Sequence, residues 1–221
     1  MVLPNITLFP QAMLPLFIFE PRYRRMLADV LQGNRMFSVA MQRPGQKREI
    51  PLPVAGLGLV RAAVTHVDGT SHLVLQGLSR IELTEAVRYR PYRVNRIRAL
   101  YSPPTQSVEV GTLTKKVREL VREHMKHGPA PPTALLHQLA KASNVDESSL
   151  ADLPSVEEFV SYLGKLDDPN QLADLVSCAL LPSAMQRQAI LSTVDLEERL
   201  RQLIHFLLAE IQRQKKNPSH E

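Results

Sequence analysis

The stretch LFPQAMLPLFIFEPRYRRMLADVL, residues 8–31, decides the fold. Its apolar part, LPLFIF at 14–19, is typical of a strand. Glu20-Pro21 then opens a helix, because proline at the first helical position lacks only an N–H that would have no partner within the helix. Apolar residues recur at helical spacing after it, and these are Tyr23, Met26, Leu27 and Val30. Gly33 supplies the stop, so the sequence predicts a strand followed directly by a helix over 21–32.

The rest of the first half is rich in β-branched and apolar residues separated by Gly, Pro and Asn, which predicts strands. The candidate strands are 4–9, 13–19, 36–42, 54–67, 71–76, 79–87 and 92–101. Asp68-Gly69 predicts a hairpin turn. Gly56 and Gly58 interrupt a long strand and predict a bulge there. With a single helix in this half, a small barrel is favoured over a doubly wound sheet.

The pattern changes at Ser102-Pro-Pro-Thr-Gln-Ser107, where prolines and small polar residues end the β signal. Capping residues and apolar spacing then predict helices at about 108–126, near 133–143, from the 155–158 capping box to about 166, from Asp168 to about 181, after Ser183, and from Asp195 onward. We therefore expect an α+β protein with a β-rich unit at 1–101, a helical unit at 108–213 and a polar tail at 214–221.

The cysteine content and the N-terminal sequence indicate the cellular compartment of the protein. Cys178 is the only cysteine among 221 residues, which excludes an internal disulfide and favours a reducing environment. The first 19 residues carry no charge and are interrupted by prolines, unlike a secretory signal. No uncharged stretch reaches the length of a membrane span. We expect a cytoplasmic protein without a membrane partner.

No arrangement of residues typical of catalysis is present. The chain has neither a glycine-rich phosphate loop nor a G-x-S-x-G elbow. His124 and His127 have a spacing that can share a metal ion, but no carboxylate pattern supports one. A solvated helix end, where the dipole favours histidine, is the better interpretation. We predict no catalytic residue, no metal ligand and no cofactor.

The charge is unevenly distributed. Residues 1–110 hold 14 Lys and Arg against 7 Asp and Glu, whereas 111–221 hold 13 against 15. The most basic segment, RYRPYRVNRIR at 88–98, places five arginines around Tyr89 and Tyr92, and they are Arg88, Arg90, Arg93, Arg96 and Arg98. Arginines between aromatic rings are what single-stranded nucleic-acid sites use. The alternative is that these side chains mark the solvent face of a strand.

Three blocks carry a resemblance to a known family. They are LPLFIFEPRYRRML, the segment from GLGLV to DGTSHLVLQGLSRIEL, and YRVNRI after Pro91, in the order found in the N-terminal domain of Lon proteases. In the helical half, LADLVSCALLP followed by LSTVDLEERLRQLIHFLLAEI looks like the end of that domain. More closely, the chain looks like small stand-alone proteins built from that domain. The resemblance implies a PUA-like β pseudobarrel followed by a helical bundle, and it implies binding of polypeptides. Because the sequence holds no ATPase or protease part, we expect no enzyme activity.

The resemblance also names the expected partners, which are unfolded or partly folded polypeptides and, in addition, a separate protease or chaperone. Nucleic acid stays open, since PUA-like barrels also serve RNA-binding proteins. We place the polypeptide-binding edge at the strand–helix corner, with Phe17, Phe19, Arg22, Arg25 and Asp29 as candidate residues. The alternative is that the phenylalanines are core and the charged residues ordinary surface.

Overall fold

The structure, a computed structural model, describes residues 1–46, 48–103, 107–127 and 156–216. The chain divides into two compact units, Met1–Tyr101 and Ser102–Glu221. The first unit carries the strands and one helix, and the helices of the second are described separately below. The helix predicted near 133–143 lies outside the described residues. The α+β class is confirmed.

The first unit is built on a six-stranded mixed sheet. Its elements are β1 (Val2–Leu3), β2 (Met13–Ile18), α1 (Pro21–Gln32), β3 (Met36–Met41), β4 (Val54–Thr65), β5 (Ser71–Arg88) and β6 (Val94–Leu100). The main path runs β1-β3-β4-β5-β2, with β1 parallel to β3 and the other pairs antiparallel. The long β5 pairs with β2 through its first part and with β6 through its second. Bulges interrupt the β4–β5 ladder next to Gly58, as the sequence predicts.

Three predicted strands differ from the structure. The segments 71–76 and 79–87 form one continuous strand, β5, and 4–9 is a turn and irregular chain. Leu8 and Phe9 are nevertheless fully buried. A Cβ added to Gly56 would lie 2.0 Å from the carbonyl oxygen of Leu8, and one added to Gly77 would lie 1.9 Å from that of Phe9. The glycines therefore let this segment cross directly over the sheet.

Helix α1 has the predicted bounds, starting after Glu20 and ending at Gly33. It buries Tyr23, Met26 and Leu27 against sheet residues such as Leu75 and Val39 in one apolar cluster. The Tyr23 hydroxyl donates to the carbonyl oxygen of Val2 at 3.1 Å, which satisfies the buried polar end of the ring. This packing fixes the helix immediately after β2.

The predicted hairpin joins β4 to β5 through a five-residue loop between Thr65 and Ser71. Gly69 adopts a φ of +79°, a left-handed conformation that glycine tolerates best. The Asp68 side chain accepts the Thr70 backbone N–H at 2.9 Å and stabilises the turn. The hairpin prediction is confirmed.

The second unit contains helices only, among the residues that the structure describes. They are α2 (Val108–His127), α3 (Val156–Lys165), α4 (Pro169–Leu180), α5 (Ala184–Ser192) and α6 (Leu196–Lys216). Asp168 caps α4 by accepting from Asn170 N at 2.9 Å, as predicted. Asp195 accepts from Glu198 N at the start of α6, also at 2.9 Å, whereas the Ser183 side chain makes no capping bond at α5.

Helix α6 extends to Lys216, past residue 214 where the polar tail was expected to begin. The reason is contact with α2, because Lys215 pairs with Glu123 at 2.6 Å. His124 on α2 is also buried, and its Nδ1 lies 3.3 Å from Nε2 of Gln214 on α6. The expectation that His124 is solvated is therefore wrong. Burial lowers the pKa of His124, and nearby Glu210 opposes that shift.

Within the described residues, no helix is both long enough and apolar enough to cross a membrane.

Candidate functional site

An exposed group of aromatic and apolar side chains lies where β2, β4 and β5 meet the hairpin loop. We call it the aromatic patch and define it as Phe17, Phe19, Val64, His66 and His72. Phe17 is 49% exposed, Phe19 59% and Val64 61%. The ring centroids of Phe17 and Phe19 are 5.9 Å apart, and those of Phe17 and His72 are 4.7 Å apart. The His66 and His72 rings are 5.1 Å apart and joined by a 2.8 Å hydrogen bond.

Strand register produces the patch. Phe17 on β2 and Val64 on β4 both lie directly opposite His72 on β5. Because directly opposed residues project to the same face of a sheet, these three side chains form a row. The neighbours on either side of His72, Ser71 and Leu73, are buried instead. The row therefore belongs to the solvent face of the sheet.

A basic side chain that the sequence analysis missed lies beside the patch. A Cβ on Gly69 would be 1.7 Å from a terminal nitrogen of Arg24, so this guanidinium rests against the hairpin loop. Hydrogen bonds from Thr70 lower the pKa of Asp68 in the same loop, with smaller contributions from His66 and Arg24. No local signal separates Arg24 from its neighbours Arg22 and Arg25, since the distinction depends on where the hairpin folds back.

The predicted polypeptide-binding residues do not form a single group of contacts. Phe17 and Phe19 contact each other, and Arg25 pairs with Asp29 at 3.2 Å. Arg22 has other partners, namely Glu20 at 2.6 Å and both carboxylate oxygens of Glu49, a residue distant in sequence. It lines a cavity rather than an open surface.

The five arginines of the predicted nucleic-acid face have varied surroundings. Arg96 pairs with Glu85 at 3.4 Å, and Arg98 pairs with Glu82. Arg88 stacks over the Tyr92 ring and Arg93 over the Tyr89 ring, at 4.9 and 4.8 Å from the ring centroids. Arg90 is exposed. Because carboxylates neutralise two of these charges, the segment is less basic as a surface than its sequence implies.

A metal-binding cluster or a reactive thiol in the described part of the chain would be a further kind of site. That part contains no cluster of three or more His, Cys, Asp or Glu side chains able to hold a metal ion. The Cys178 thiol is free, and burial raises its pKa. A thiol with a raised pKa is a weak nucleophile at neutral pH.

Comparison with known proteins identifies the family. The family model for the ATP-dependent protease La (LON) substrate-binding domain matches residues 1–209. The chain belongs to this family. Among relatives, it is 24% identical to the Lon protease of Dictyoglomus thermophilum and 26% identical to that of Desulfosudis oleivorans, over 95% and 94% of its length. It spans about a quarter of these relatives, 24% of each.

Solved structures agree on the fold of this LON substrate-binding domain. The N-terminal domain of the Mycobacterium avium complex Lon protease matches with a TM-score of 0.64, 18% identity and coverage of 94% of this chain and 96% of that one. A Lon N-terminal domain protein from Xanthomonas campestris matches with a TM-score of 0.61, 20% identity and coverage of 93% and 96%. The resemblance stated from the sequence blocks is confirmed, whereas these comparisons do not support nucleic-acid binding.

Proposed function

We propose that this LON substrate-binding domain binds unfolded or partly folded polypeptides through the aromatic patch. The observation that carries the proposal is the exposure of Phe17 and Phe19 beside Val64 and His72. Contiguous exposed apolar patches often mark binding sites on proteins. Unfolded chains expose apolar side chains that such a patch can cover.

The proposal keeps Phe17 and Phe19 from the sequence-predicted site as contact residues. It assigns the steering of an approaching chain to Arg24 rather than to the candidates Arg22 and Arg25, because Arg24 lies against the hairpin loop. Arg22 is neutralised by Glu20 and Glu49, so it contributes little field at the patch. Charge next to an apolar site guides the approach of a chain more than it adds affinity.

We further propose that the domain acts by binding alone, without ATP hydrolysis or proteolysis, and passes its ligand to a separate protease or chaperone in the cytoplasm. The single cysteine supports the reducing compartment. The prediction is checked by incubating homogeneous protein with ATP and casein. Release of phosphate or peptide fragments that copurifies with the protein would contradict it.

The binding proposal is tested with the double variant Phe17→Ser, Phe19→Ser. Capture of a fluorescently labelled, permanently unfolded protein is measured by polarisation, and thermal unfolding is followed by circular dichroism. We expect a loss in affinity of about tenfold or more, because two aromatic side chains contribute much of a small interface. The melting temperature should fall only modestly, since Phe17 and Phe19 are 49% and 59% exposed in the folded state.

Val87→Ser is the matched control. Val87 is as exposed as Phe19, at 59%, and lies at the far end of β5 from His72. This variant should bind the unfolded protein like the wild type. Equal losses in both variants would mean that general surface hydrophobicity, rather than the aromatic patch, drives capture.

A further inference from the structure

A cavity of about 240 Å³ lies in the first unit, away from the residues that define the aromatic patch. Its walls are basic and aromatic, and the lining includes Arg22, Tyr23, Arg48, Tyr89, Tyr92 and Arg93. It is slightly smaller than a drug-sized pocket, which begins at about 300 Å³, so it suits a group the size of one amino acid.

The tyrosine walls are held in place by their own contacts. The Tyr92 hydroxyl donates to Asp29 at 2.8 Å, and the Arg88 guanidinium covers the Tyr92 ring. The Arg93 guanidinium stacks 4.8 Å from the centroid of the Tyr89 ring. One terminal nitrogen of Arg93 donates to the backbone carbonyl of Glu49 at 3.3 Å. These contacts order the side chains before any ligand enters, which reduces the entropy lost on binding.

The charges of the lining are not balanced. Both carboxylate oxygens of Glu49 already accept from Arg22. In the described part of the chain, neither Arg48 nor Arg93 forms an ion pair with a carboxylate. Arginine has five N–H donors, and among the described residues Arg93 donates one hydrogen bond, to the Glu49 carbonyl. The guanidinium groups of Arg48 and Arg93 thus both line the cavity and have N–H donors that a ligand can use.

We propose that this cavity binds a carboxylate on an amino-acid-sized group, with Arg93 and Arg48 holding the carboxylate and the tyrosine rings covering the rest. A planar guanidinium matches a carboxylate through two parallel hydrogen bonds, as Arg22 and Glu49 already do at the cavity wall. The rings of Tyr89 and Tyr92 provide apolar area for the adjoining group. The carboxylate comes from the C-terminal residue of a polypeptide or from a free small acid. This site does not depend on the aromatic patch.

The test uses N-acetylphenylalanine and its amide as probes, titrated into the isotope-labelled full chain. Binding is followed through the NMR signals of the Arg93 side chain and the Tyr89 and Tyr92 amides. We expect saturable shifts with the free acid and affinity at least about tenfold weaker with the amide, because the amide cannot form the charge-assisted pair. Equal binding of acid and amide, or no saturable shift with either, would overturn the proposal.

Arg93→Gln should weaken binding of the acid about tenfold or more. Arg98→Gln is the matched control. Arg98 lies on β6, the strand that follows Arg93, but it pairs with Glu82, and neither residue lines the cavity. This variant should bind like the wild type. If Arg93→Gln does not fold, Arg48→Gln provides the second variant. Wild-type affinity in the folded cavity variant, or an equal loss in Arg98→Gln, would contradict the assignment.

A pair of peptides ending in phenylalanine distinguishes the two sources of the carboxylate. If the peptide with a free C-terminus displaces N-acetylphenylalanine and its amidated twin does not, the cavity accepts chain ends. If neither displaces it, the cavity accepts free small acids only. Displacement by both peptides would overturn the proposal, because recognition would not require the carboxylate. The Phe17→Ser, Phe19→Ser variant should bind the acid normally, which separates this result from the proposed function.

Discussion

The ring of Phe17 lies 4.7 Å from the ring of His72, its direct partner across the β2–β5 ladder, and both side chains are exposed to solvent. The hydrogen-bonded register holds this pair in place, so the apolar surface is preformed rather than assembled on contact. A preformed surface loses less conformational entropy when it binds. The sequence predicts both the strand that carries Phe17 and the hairpin that carries His72. It does not specify that these two residues lie opposite each other.

Reversing the charge of Arg24 should slow capture of an acidic unfolded polypeptide. Arg24→Glu places a carboxylate against the hairpin loop, and we expect the association rate to fall about threefold at low salt, with the difference disappearing at high salt. Stopped-flow fluorescence measures the rate. Arg25→Glu, at the next exposed position of α1, is the control and should have a smaller effect. A larger effect of Arg25→Glu would return the steering role to the residue predicted from sequence.

Gly77→Ala should destabilise the first unit strongly. The new methyl group would lie 1.9 Å from the carbonyl oxygen of Phe9, a backbone atom that cannot move without shifting the buried segment. We expect a loss of about 3 kcal/mol in the free energy of unfolding, measured with urea. Gly111→Ala is the opposite case, because nothing lies within 4 Å of the added carbon on α2. It should stabilise that helix by about 0.5–1 kcal/mol.

Removing the buried Arg199 should destabilise the helical unit. Its guanidinium donates to the carbonyls of Thr193 and Val194 at 2.9 and 2.7 Å and lies 3.6 Å from the buried Asp174. Arg199→Met removes these buried hydrogen bonds together with the ion pair, so we expect a loss of about 3–5 kcal/mol. Urea unfolding followed by circular dichroism provides the value.

Arg201→Met, on the exposed side of the same helix, is the control for Arg199. Its pair with Glu197 is a solvated contact one helical turn away, and its loss should cost about 0.5 kcal/mol or less. Similar losses for the two variants would mean that the Arg199 pair contributes no more than a surface pair.

The stability of the helical unit should fall as the solution becomes acidic. Burial lowers the pKa of His124 in the folded chain. When the pH falls to about 6.5, the ordinary pKa of histidine, this side chain becomes protonated in the unfolded chain while it is still neutral in the folded chain. The contribution of the neutral imidazole is therefore complete above that pH and decreases below it. Urea unfolding at about pH 5 and pH 7.5 measures the change.

His124→Gln should flatten this pH dependence while keeping a polar group near Gln214. His205→Gln, an exposed position on α6, should leave the wild-type dependence unchanged. An unchanged slope in His124→Gln would show that other groups account for the acid sensitivity.

Helix ends, helix caps and turns could be predicted from short sequence motifs, because each depends on residues that are close in the chain. Pro21 and Gly33 determine the bounds of α1, because one restricts the start and the other permits the stop. Asp68-Gly69 determines the hairpin turn, and Asp168 caps its helix as predicted. Each of these effects acts over a few residues through backbone angles and short hydrogen bonds. The motif blocks likewise sufficed to identify the family.

The sequence by itself thus determined most of the described elements, the α+β class and the family of this domain. Only the tertiary structure decided that Leu8 crosses the sheet at Gly56, that Arg22 is neutralised by Glu49, and that Arg24 lies on the hairpin loop. These relationships join residues far apart in the chain, and they depend on strand register and on which faces are buried together. Helical spacing and strand alternation specify a side chain's face but not the residue opposite it, so the candidate sites emerged only from the folded chain.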